Sequence, residues 1–122
     1  MFSTNYYIKI YPNKVVARNL STLNSVEVVP NTPYLHPRLL IGNIDSAEWT
    51  LKAAVDQIKS NNPLKATRIL VHPVTEFPGG ISGAEERLFR MAVYAVLPGQ
   101  VVLWVGSELT DEMVLDKIKS AK

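Results

Sequence analysis

Cysteine is absent from the 122 residues, which excludes a disulfide framework, a thiolate nucleophile and a zinc–thiolate site. Aspartate is also missing from the first 44 residues, since Asp45 is the first to occur, and Glu27 is the only acid before it. A metal-dependent nuclease that gathers several carboxylates around its first strand is therefore excluded. Long apolar runs are lacking too, since none approaches the roughly 20 residues that span a bilayer. The opening Met1-Phe2-Ser3-Thr4-Asn5 has neither the basic and apolar regions of a signal peptide nor the pattern of an anchor helix. A cytoplasmic protein is the expectation.

Charge is nearly balanced. The net charge of +2 is too small to point to nucleic acid. Lys9, Lys14, Arg18 and Arg38 outnumber Glu27 in the first 44 residues, but they are scattered and form no basic run. With 47% apolar and 20% charged residues the composition is that of one folded domain.

Periodicity supplies the elements. Tyr6–Tyr11 and Lys14–Leu20 are rich in β-branched and aromatic residues and flank Pro12-Asn13, so they read as a hairpin. In the first strand Tyr6, Ile8 and Ile10 share one face, and Tyr7, Lys9 and Tyr11 the other. A third strand falls at Ser25–Val29, at Arg38–Ile41, or at both, around a proline-rich segment that cannot lie in a central strand. A helix follows, with Asp45 and Glu48 at capping-box spacing and Leu51, Ala54, Val55 and Ile58 as its apolar stripe. Asn61-Asn62-Pro63 ends it.

Thr67–Val71 has the short apolar run of a strand buried in a parallel sheet. Ser82 and Glu85 form a second capping box for a helix over residues 83–96. That helix is apolar nearly all round, with Leu88, Met91, Ala92 and Ala95 on one side and Phe89, Val93 and Val96 on another. It is expected to be buried on two sides or to meet a partner. Val101–Val105 is a strand, and Thr110 caps a last helix whose acids lead and whose lysines trail, as the helix dipole favours. The fold class is α/β, a mixed sheet of about five strands with three helices in the order β-β-β-α-β-α-β-α.

Candidate sites are few. Pro78-Gly79-Gly80-Ile81-Ser82-Gly83 leads into a helix N-terminus, where backbone amides can hold an anion. Gly79, Gly80, Ser82 and Gly83 are thus a candidate ligand loop, although it lacks the Gly-Lys-Ser/Thr of a P-loop. His72, with Glu76 or Ser82 near it in sequence, could enter a hydrolytic constellation; beside Pro73 at a strand end it reads more simply as structural. Glu85 with Glu76 could do acid–base work, but Glu85 is already accounted for as a capping acid. His36 and His72 do not have zinc-ligand spacing, and no metal site is expected. Most aromatics fall at core spacing. The face Tyr7/Lys9/Tyr11 suits either a partner surface or a sheet face covered by a helix.

Arg68-Ile69-Leu70-Val71-His72-Pro73-Val74 resembles a strand and loop of the MreB-type bacterial actins. Glu85-Glu86-Arg87 is similar to the helix start that follows, and Gln100–Val105 to the next strand. The resemblance covers residues 67–116 in sequence and the rest by topology. It implies a ribonuclease H-like fold, one actin-type lobe related to rod shape-determining proteins.

The departures bear on activity. Where the resemblance implies an Asp-x-Gly-Thr phosphate loop, this chain has Tyr11-Pro12-Asn13-Lys14, with no glycine and with a proline that removes an amide donor. Where it implies Glu-Glu-Pro, the chain has Gly106-Ser107-Glu108. A second nucleotide-holding lobe is not in the sequence. Neither ATP hydrolysis nor a cofactor is expected. The expectation is a non-catalytic interaction module whose exposed apolar surface, including Phe89, Val93, Val96, Tyr7, Lys9 and Tyr11, associates with a second copy or docks on a cytoskeletal or cell-shape protein. The alternative is a small-ligand or nucleotide sensor using loop 78–83.

Overall fold

The computed structural model describes residues 3–11, 14–30, 44–59, 66–74 and 83–121. Strands β1 (Ser3–Tyr11), β2 (Lys14–Asn19) and β3 (Ser25–Val28) come first, followed by helix α1 (Ile44–Ile58). Then β4 (Ala66–Pro73), α2 (Gly83–Val96), β5 (Gln100–Leu103) and α3 (Asp111–Ser120) alternate. Among the described residues the sheet has five strands in the order β3-β2-β1-β4-β5. β1 pairs antiparallel with β2 and parallel with β4, and β4 pairs parallel with β5. The expected mixed α/β order is observed. The third strand is Ser25–Val28, and Arg38–Ile41 lies outside the described residues. Ser82, expected to cap the second helix, and the side chain of Asp45 lie outside them too.

β1 is the central strand, and alternation sends its side chains to two different cores. Tyr6, Ile8 and Ile10 join Val15, Ala17, Ile69 and Val71 under α1 and α2. Tyr7 and Leu70 point the other way, where Leu109, Val114 and Ile118 bring α3 over the sheet. The result is three layers, with two helices on one face and one on the other. α1 buries Leu51, Ala54, Val55 and Ile58, the stripe expected of it, together with Ala47, and leaves Lys52 and Asp56 outside as an i,i+4 ion pair.

Two tight places use particular residues. Asn19 is fully buried at the end of β2, where its Nδ2 donates to the Ile58 carbonyl at the C-terminus of α1 at 2.8 Å. Its Oδ1 accepts from the amides of Ser21 (2.9 Å) and Thr22 (3.2 Å), so one side chain closes both the helix and the β2–β3 turn. Gly99 passes so close to β4 that an added Cβ would lie 2.5 Å from the Thr67 carbonyl.

Candidate functional site

The polar residues converge beneath α3. β1 and β4 run parallel with Lys9 opposite His72, which puts Tyr7, Lys9 and His72 on the face that α3 covers. His72 is completely buried. Its Nε2 lies 2.9 Å from the Gly106 carbonyl, which can only accept, so Nε2 carries the proton. Nδ1 therefore accepts from the Tyr7 hydroxyl at 2.7 Å, and that hydroxyl accepts in turn from the Leu109 amide at 3.2 Å. Burial pushes the His72 pKa below its ordinary value, with the Gly106 hydrogen bond opposing it. Burial likewise raises the Tyr7 pKa, against the Leu109 amide, which favours the phenolate. Both rings are neutral and both imidazole nitrogens are occupied. Neither nitrogen has a free lone pair to act as a base in this arrangement.

An ion pair flanks the network. Lys9 donates to Glu108, and the Glu108 carboxyl is held below its usual range by that hydrogen bond. Arg18 grips Asp111 at the start of α3 with two parallel bonds of 2.9 Å from Nε and Nη2. Lys14 pairs with Glu27 at 3.2 Å. The three cations described from the basic N-terminal stretch are therefore each matched by an acid, which removes the basis for a cationic face. Among the described residues no group of three metal-ligating side chains gathers, and no helix is long and apolar enough to cross a membrane.

The connection from β5 to α3 is pinned by four side chains. Besides the His72–Gly106 and Tyr7–Leu109 bonds and the Lys9–Glu108 pair, the Trp104 indole donates to the Ser107 carbonyl at 2.9 Å. The Lys117 ammonium lies 3.8 Å from the centre of the Trp104 ring. Gly106 adopts φ +151°, and a Cβ there would meet that indole at 2.8 Å.

A group of exposed apolar side chains lies elsewhere, on α1 and α2. On α2, Met91 and Tyr94 are 64% and 57% exposed, and on α1 Trp49 is 53% exposed. Tyr94 and Ala95 line a hollow with Gly99 and Val101 of the open sheet edge, and Trp49 lines the adjoining one with Ala95 and Val96. On that edge Arg90 donates to the Val101 carbonyl at 2.7 Å and pairs with Glu86, which blunts β5 against strand addition.

These placements correct several expectations. Phe89 and Val93 are each 1% exposed and belong to the core, with Val96 partly buried against it. α2 is buried on one side only, and its outer side is the Met91 side. Residues 89, 92, 93 and 96 follow i, i+3, i+4, i+7, while Glu86, Arg87 and Arg90 mark the outside; that signal was present in the sequence. Tyr7 is 3% exposed beneath α3 and Lys9 is engaged by Glu108, so neither offers a partner surface. Tyr11 is half-buried at the strand end with Lys14 over its ring. Trp49 and Tyr94 are not core residues. Of the ligand loop, Gly83 is the exposed first residue of α2, and Gly79, Gly80 and Ser82 lie outside the described residues, as do Glu76 and His36. The pairing roles of Glu108 and Asp111 have no local sequence signal, because their partners lie some ninety residues earlier in the chain.

The architecture is that of an actin-like α/β protein. The chain is similar to MreB5 of Spiroplasma citri bound to ADP, with a TM-score of 0.62 and 13% identity, over 84% of this chain and 38% of that one. It is similar also to MreB5 of the same organism bound to AMPPNP, with a TM-score of 0.56, 13% identity and the same coverage. The chain therefore spans about two fifths of the length of those structures, and the likeness is one of fold. No family model matches the sequence, and no curated protein matches it.

Proposed function

We propose that this chain is a non-catalytic interaction module with an MreB-like fold, acting by self-association or by docking on a cytoskeletal or cell-shape partner. The observation that carries the reading is the exposed apolar stripe of Met91 and Tyr94 on α2 with Trp49 on α1. Large aromatic and methionine side chains on neighbouring rigid helices are the residue types that anchor protein interfaces. Because Arg90 occupies the Val101 carbonyl, the contact is expected through side chains rather than an added strand. An isologous pair of α2 faces is the simplest assembly.

Size-exclusion chromatography with light scattering, with and without Mg-ATP, tests the reading. The expected result is a dimer or larger species indifferent to nucleotide, reduced to monomer by the double variant Met91→Glu, Tyr94→Glu. That variant should keep wild-type stability to within about 0.5 kcal/mol, because both side chains are exposed. A second reading, a small-ligand or nucleotide sensor using loop 78–83, is motivated by the ADP and AMPPNP bound to the MreB5 neighbours. A monomer whose melting temperature rises with Mg-ATP would favour it and overturn the first.

A further inference from the structure

The buried imidazole does nothing in that reading, yet its position gives it a use. Every hydrogen-bonding site of His72 is committed in the neutral form, and its partners on the far side, Gly106 directly and Leu109 through Tyr7, both belong to the segment that carries α3. We infer that the Tyr7–His72–Gly106 chain is an acid-sensitive latch, which holds residues 104–110 and α3 against the sheet at neutral pH and releases them as His72 takes up a proton.

The chemistry follows from the donors and acceptors. A proton on Nδ1 turns an acceptor into a donor and sets it against the Tyr7 O–H across a 2.7 Å contact. The phenol must then turn its own hydrogen away. Its oxygen already receives the Leu109 amide, and accepting from Nδ1 as well leaves the phenolic hydrogen in need of a new acceptor. Glu108, the carboxylate that acts on Tyr7, is already held by Lys9.

The surroundings resist the new charge. Leu70, Leu109, Val114 and Ile118 form the apolar cluster around Tyr7, so an imidazolium is poorly solvated there. Lys9, directly across the ladder on β1, repels it, while Glu108 from the connecting segment attracts it. Burial keeps Tyr7 of β1 protonated, Tyr11 lies at the end of that strand, Arg68 stands four residues back on β4, and at the start of α3 Asp111 is paired with Arg18. Burial outweighs the attraction of Glu108, and the His72 pKa lies below its ordinary value of about 6.5.

The sign follows. In the released state His72 binds its proton near pH 6.5, whereas in the latched state it does so only at lower pH. Between those values the released state holds more protons, so latching is complete above about pH 6.5 and weakens as the pH falls below it. One proton limits the slope to about tenfold in the opening equilibrium per pH unit.

Hydrogen exchange of the whole chain, corrected for intrinsic rates, tests this at pH 7.5 and pH 5.5. The expected result is that opening constants over residues 104–120 rise at least about threefold, and at most about tenfold, on acidification while those of α1 change less than about twofold, with the rise abolished in His72→Gln. An equal rise in both regions, or none in either, overturns the latch. Wild-type NMR of the His72 ring is independent of whether the variant folds. It should show an Nε2–H tautomer at pH 7.5 and a transition below pH 6.5 that coincides with loss of protection at Leu109. Titration at or above pH 6.5 with Leu109 still protected overturns the proposal as well.

Discussion

Asn19 shows how much a single side chain can close. It serves one donor to the C-terminus of α1 and one acceptor to two turn amides, all without solvent. Asn19→Ala would strand the Ile58 carbonyl and two amides together, so a loss of about 2–4 kcal/mol in denaturant unfolding is expected. Asn19→Asp should cost at least as much, because a carboxylate cannot donate to a carbonyl and meets the negative end of the helix dipole. The nearby ion pairs are a different matter. Lys9–Glu108 and Arg18–Asp111 are partly solvated, with Glu108 61% exposed at its side chain, and each is worth under about 1 kcal/mol. Glu108→Gln should therefore shift the unfolding midpoint only slightly. Nothing in the sequence distinguished Asn19 from Asn13 or Asn24, because its value depends on α1 arriving from residue 58 to meet it.

Among the elements, α2 is where pattern reading and structure part most sharply. Leucine, methionine, alanine and aromatics all round it suggested two buried faces, yet Phe89, Ala92 and Val93 face α1 and the sheet while Met91 and Tyr94 face outward. Phe89→Ala should destabilise the fold by about 3–5 kcal/mol, and Met91→Ala by less than about 0.5 kcal/mol, as read by thermal or chemical unfolding. Equal costs would mean that the outer face is covered in the folded chain. Strand alternation and helix stripes located every element correctly in order, because period 2 and period 3.6 are properties of local chain geometry. The apolar residues of α2 alone did not single out the side that met the sheet; the charged Glu86, Arg87 and Arg90 did, by marking the opposite face. α3 was legible to the residue at its start: Thr110 Oγ1 accepts from the Met113 amide at 3.2 Å, as a capping threonine followed by two acids implied.

At the scale of the molecule, the two cores are unequal. The α1/α2 side gathers buried residues from β1, β2 and β4, with β3 and β5 packed against them, whereas α3 rests on a small cluster around Tyr7 and Leu70. Amides of α3 should accordingly exchange faster than those of β1 and β4 even at neutral pH, which native-state hydrogen exchange would read directly. The actin-like frame was legible from element order, but the function was not, because element order carries no site chemistry. The sheet order also governs when the protein can form during synthesis. β1 is its centre, and one of its sides is filled at once by β2, but the other waits for β4, with Ser3 paired to Ala66 and Ile10 to Pro73. A ribosome must therefore release more than half of the chain before the central strand has both neighbours. Until then the hairpin carries an unpaired apolar edge through the exit tunnel's mouth, and chaperone binding there would be confined to nascent chains too short to contain β4.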